Sequence, residues 1–107
     1  MNIGHAIAWF FGGVFLFNAL PHVVAGVSGR PFQTPFATPR GEGLSSSAVN
    51  VAWGFANLAA AWGLLLHVGE FDLRTWDHAL AAGLGGLLIS LFAARHFGRF
   101  HGGNTPT

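Results

Sequence analysis

The chain contains no cysteine, which excludes disulfides, thiolate metal ligands and a cysteine nucleophile. It has no lysine and no tyrosine either, and only 8% of its 107 residues are charged. A soluble domain carries roughly a quarter charged residues. A water-facing surface made from this composition would be apolar and would aggregate, so lipid is the solvent that suits it. The formal net charge of +1 excludes the clustered basic surface that nucleic acid requires. Catalytic signatures are missing as well: there is no G-x-S-x-G, no P-loop, no H-E-x-x-H and no carboxylate pair within an apolar run. No basic residue precedes Arg30, and the first apolar run is too long for a signal-peptide core, so the N-terminal stretch is expected to be a mature helix.

What is present is apolar sequence in three blocks. Residues 2–29, 43–69 and 78–94 contain no Asp, Glu, Lys or Arg. A helix needs about 20 predominantly apolar residues to cross a bilayer. The expected fold is therefore all-α: a polytopic integral membrane protein with three transmembrane helices, near 3–27, 46–68 and 75–97. A Pro/Phe-rich interfacial loop joins the first two helices. One domain covers 1–101, and 102–107 is expected to be a flexible tail. Ser45, Ser46 and Ser47 form an N-cap cluster for the second helix. The short linker 69–74 predicts that helices two and three form an antiparallel hairpin. Arg30, Arg40, Arg95 and Arg99 fall on one side of such a bundle and only Arg74 on the other. The positive-inside rule then places the N-terminus outside and the C-terminus in the cytoplasm. The Ala/Gly/Leu/Arg bias suggests a GC-rich bacterial genome, and the expected location is the inner membrane of a bacterium.

At about 100° per residue, Gly4, Ala8, Gly12, Phe15, Asn18, Ala19, His22 and Gly26 form a packing stripe on helix one. Phe10, Phe17, Leu20, Val24 and Val27 face lipid. Pro21 should kink this helix. Helix two carries Ser47, Asn50, Gly54, Asn57 and Ala61 on one small face, with Trp53 at its edge, and Ala52, Ala56, Ala59 and Gly63 on another. Helix three places Ala79, Gly83, Gly86, Ser90 and Ala93 opposite Leu80, Leu84, Leu87 and Leu91. More small faces than one three-helix bundle uses imply a homo-oligomer or a larger membrane complex.

Asn18, His22, Asn50 and Asn57 are polar groups at membrane depth, and each must find a partner there. Two readings apply. They line a polar site for a small solute, ion or lipid, or they are interhelical hydrogen bonds contributing ~0.6 kcal/mol each on average. In the loop, Pro31, Pro35 and Pro39 exclude a helix and leave the backbone extended or turned. Phe32 and Phe36 can fold it back over the bundle as a lid, and Arg30 and Arg40 can meet an anionic head group. The candidate ligand-binding set is thus Asn18, His22, Trp53, Asn50, Asn57, Phe32, Phe36, Arg30 and Arg40. The bland alternative is an interfacial connector whose arginines only set topology. His5, His67 and His78 are the candidate metal ligands, but their spacing matches no metal-site signature, and no cofactor is expected. The leading functional expectation is a homo-oligomeric membrane protein that binds or passes a small solute, ion or lipid. An accessory subunit of a larger complex and a small enzyme or cofactor carrier using the histidines are the alternatives.

Overall fold

Hydrogen-bond closure within each apolar run is the only way to satisfy its backbone in lipid, and helices form in all three. The computed structural model describes residues 1–106. In chain order the elements are α1 (Ile3–Val27), β1 (Phe32–Gln33), β2 (Leu44–Ser45), α2 (Ser47–Leu66) and α3 (Trp76–His101). The fold is all-α, and every helix is long and apolar enough to cross a membrane. The Asn2 side chain caps α1 by accepting from the His5 amide at 3.1 Å. Ser46, the middle residue of the serine cluster, caps α2 through the Val49 amide at 3.2 Å. Thr75 precedes α3 without a side-chain cap bond, and Asp77 lies in the first turn, where a carboxylate suits the helix dipole. Gly102 closes α3 in the left-handed region, at φ 81°.

Two helices differ in extent from the sequence expectation. The second helix is shorter at both ends, because Ser46 is its cap and the chain leaves the helix at His67. The third runs on to His101, past the charged residues that set its expected end, because its last turns are held by the loop. α1 continues unbroken through Pro21. Within the expected tail, the Asn104 amide folds back and donates to the Arg95 carbonyl at 2.8 Å; Thr107 lies outside the described residues.

The helices are arranged around α1. It packs against both α2 and α3, while α2 and α3 scarcely touch each other. The expected hairpin of helices two and three is therefore corrected: a short linker joins them, but α1 occupies the middle position. The reason lies in α1 itself, which presents close-approach positions to both neighbours. A Cβ on Gly26 would stand 2.7 Å from the Ser47 carbonyl oxygen of α2. On the other side, a Cβ on Gly13 would stand 1.9 Å from the Ala82 oxygen of α3, and one on Gly85 the same distance from the Phe10 oxygen of α1. Here two helices meet backbone to backbone, which only glycine allows.

Most of the expected α1 stripe is buried or half-buried, with Gly4 exposed. Phe17, expected toward lipid, is exposed and also lies beside Gly86 of α3, while Phe10 meets α3 through its backbone carbonyl. On α2, Asn50, Gly54, Asn57 and Ala61 are buried. Its second small face, Ala52, Ala56 and Ala59, is exposed, and nothing lies within 4 Å of a Cβ built on Gly63. On α3 the packing face is turned by a residue from expectation: Gly85 and Gly86 are buried, whereas Gly83 is open. Leu80, Leu84, Leu87 and Leu91 are exposed.

Candidate functional site

The amide and imidazole side chains of α1 and α2 come together in one interface. Residues four apart on a helix lie on the same face, so Asn18 and His22 project from α1 one turn apart, and Asn50 and Asn57 meet them from α2. Asn18 Nδ2 donates to Asn57 Oδ1 at 3.0 Å. His22 Nδ1 and Asn50 Oδ1 are 2.8 Å apart. The direction of that bond follows from the other end of the amide. Asn50 Nδ2 faces three carbonyl oxygens, those of Phe32 and Ser45 at 3.2 Å and Ser46 at 3.0 Å. The nitrogen must donate to these, so Oδ1 accepts and His22 carries its hydrogen on Nδ1. Asn57 Nδ2 donates to the Trp53 carbonyl at 2.9 Å. His22, Asn50 and Asn57 are at most 2% exposed. These groups satisfy one another and the backbone rather than facing an open channel.

The loop is built onto this interface. β1 and β2 pair antiparallel, Phe32 opposite Ser45 and Gln33 opposite Leu44, which brings both strand carbonyls to Asn50. Phe32 is the central residue. Its ring meets the His22 ring edge-on at 5.6 Å, lies 4.7 Å from Phe97 and stacks on His101 at 4.9 Å. Phe36 sits edge-on to Trp53 at 4.9 Å, although it remains largely exposed. The Trp53 Nε1 is buried with no partner among the described residues. Arg30 and Arg40 stand apart from the amides, exposed at the loop surface.

Several residues at this end escape sequence reasoning. Gln33 and Thr34 are almost fully buried. Gln33 Oε1 is 2.8 Å from His101 Nε2, and the Gly41 carbonyl is 2.7 Å from His96 Nε2. Arg99 reaches Glu42 at 3.5 Å, an exposed ion pair. The loop is thereby strapped to the last turns of α3. These partners lie more than fifty residues apart in the chain, and no local spacing links them. The one available hint was a polar Gln between two prolines and two phenylalanines.

Beside Phe32, α1 and α3 part to leave an apolar groove of ≈ 430 Å³, walled by Phe17, Leu20 and Pro21 on one side and Ala93 and Phe97 on the other. A second hollow of ≈ 350 Å³ shares Pro21, Phe32 and His101 with it and reaches Arg30. At the opposite end of the bundle, Trp9 is buried and donates from Nε1 to the Val68 carbonyl at 2.8 Å. His5 and His78 both lie against its ring, at 5.6 and 4.3 Å, whereas His67 packs on Trp62. The three candidate metal ligands are thus not brought to one point, and no three His, Asp or Glu side chains converge among the described residues. No known protein-family model matches the chain, and no curated protein or solved structure is significantly similar to it.

Proposed function

We propose that this chain is a membrane-embedded binding protein for an amphiphile of the bilayer, held in the groove between α1 and α3. The observation that carries this reading is the ≈ 430 Å³ apolar groove walled by Phe17, Leu20, Ala93 and Phe97. Leu20 and Val24 beside it are about half exposed, so a hydrocarbon chain enters from the lipid without crossing a polar barrier. Phe32 forms the end wall, and Asn50 and His22 hold Phe32 in place. In this reading the polar residues clamp the wall of the site, and the ligand touches Phe32 rather than the amides. The closed hydrogen-bonding of Asn18, Asn50 and Asn57 supports a clamp over a solute pore.

The protein belongs, on this proposal, in the cytoplasmic membrane of a bacterium, with its N-terminus outside. Four arginines and one carboxylate lie at the loop and C-terminal end, against one arginine and three carboxylates at the other. The open small face of α2, Ala52, Ala56, Ala59 and Gly63, favours a second contact, either with another copy in a homo-oligomer or with a larger complex.

Native mass spectrometry of protein released from mild detergent tests the reading. A discrete lipid-sized mass should be retained, and Ala94→Trp, which fills the groove from an exposed position, should release it. Protein that never carries such a mass, even when lipid is added back, rules the reading out.

A further inference from the structure

The charged groups near the groove are unevenly distributed. Arg30 lines the second hollow, which lies against the groove and shares Pro21, Phe32 and His101 with it. Its backbone N–H donates to the Ala25 carbonyl at 2.9 Å, but its guanidinium makes no hydrogen bond or ion pair among the described residues, whereas Arg99 at the same end is matched with Glu42. Glu42 is the single acidic side chain of this end among the described residues, since Glu70, Asp72 and Asp77 lie around the α2–α3 linker and the start of α3. The second hollow thus sets one unmatched guanidinium beside the end of the apolar trough, just beyond the end of α1. Along α1 the two linings run from Phe17 to Ala25, a rise of about 12 Å, so the trough follows the helix axis toward the end that carries Arg30. An acyl chain lies in it lengthwise, with its head group at Arg30. A guanidinium presents a planar fork of donors that matches phosphate oxygens bidentately.

We infer that the ligand of the groove is an anionic phospholipid, with one acyl chain between α1 and α3 and its phosphate at Arg30. This rests on the amphiphile-binding reading above and names its ligand class. The orientation proposed there puts Arg30 in the cytoplasmic leaflet, where anionic lipids concentrate. Arg40 is the internal comparison: it is equally exposed and at the same end, but it lines a different hollow, beside Phe36.

The test uses the full chain, delipidated in detergent and titrated with phosphatidylglycerol or phosphatidylcholine of identical acyl chains, bound lipid being counted by native mass spectrometry. Phosphatidylglycerol should bind at least about fivefold more tightly, the preference one arginine gives at an anionic surface. Arg30→Gln should abolish that preference with an unchanged unfolding temperature, because Arg30 is exposed and unpaired. Arg40→Gln should retain the preference, and Ala94→Trp should weaken both lipids alike. Equal retention of the two lipids by the native chain would overturn the head-group assignment and leave the groove reading standing. Equal damage from Arg40→Gln and Arg30→Gln would replace the site with a diffuse basic surface. Failure to retain either lipid would sink the groove and the head-group assignment together.

Discussion

His22 Nδ1 on α1 donates to Asn50 Oδ1 on α2 across 2.8 Å, and the same Asn50 gathers the carbonyls of Phe32, Ser45 and Ser46 with its nitrogen. One amide therefore ties together the first helix, both strands of the loop and the start of the second helix.

Removing that amide should be costly. Asn50→Ala strands the buried His22 N–H and removes a side-chain donor from three part-buried carbonyls, of which that of Ser46 keeps the Asn50 backbone N–H, so a loss of about 2–3 kcal/mol is expected. Asn57→Ala breaks one bond to Asn18 and one within its own helix, and about 1 kcal/mol is expected. Reversible unfolding in mixed micelles ranks the two variants. If both cost the same, Asn50 is not the hub described here.

Two glycines two positions apart on α3 should respond oppositely to the same change. Gly85→Ala drives a methyl into the Phe10 carbonyl, which backbone alone must absorb by moving α3 away from α1. Overpacking of this kind costs about 1–3 kcal/mol. Gly83→Ala meets open space and gains helix propensity, up to about 1 kcal/mol. Thermal midpoints of the pair, read side by side, decide the matter.

The tryptophans give a second contrast. Trp9→Phe keeps a ring among His5, Phe71 and His78 but loses the bond to the Val68 carbonyl, an expected cost of about 1 kcal/mol. Faster amide exchange should follow in the α2–α3 linker. Trp53→Phe removes an N–H that has no partner, so it should be neutral or slightly stabilising. A clear loss of stability on Trp53→Phe would mean that the indole N–H is satisfied in the bilayer.

The absence of cysteine makes the topology directly measurable. Single cysteines at Thr38 and Asp72, both exposed loop positions at opposite ends, report the two faces. A membrane-impermeant maleimide applied to intact cells should label Asp72→Cys and spare Thr38→Cys. The reverse pattern inverts the proposed orientation.

The spans were legible because charge is confined to their borders; α1 begins and ends where its charge-free run and its Asn2 cap place it. The clustering of Asn18, His22, Asn50 and Asn57 was legible for a related reason, since amides in hydrocarbon have few partners other than one another. Helical phase carried less. Gly83 and Gly85 are both small but stand about 200° apart around the helix, so composition alone does not say which of the two packs. The attachment of the loop to α3 through Gln33–His101 and Gly41–His96 was not legible at all. Those bonds depend on which helix lies beside the loop, and local spacing does not say. The middle position of α1 escaped for the same reason: linker length says which ends are near, but not which flanks pack.

That middle position separates the molecule into two energetic compartments. α2 and α3 scarcely meet, so a flaw in one interface reaches the other through α1 or through the loop that Asn50 holds and His96 and His101 fasten. Paired lesions, one on each flank, should then simply add. During synthesis the first two helices have their whole shared surface available before the third has emerged. The third helix arrives at a half-built protein whose remaining seam is already shaped, and only its closing turns fasten the loop over the site.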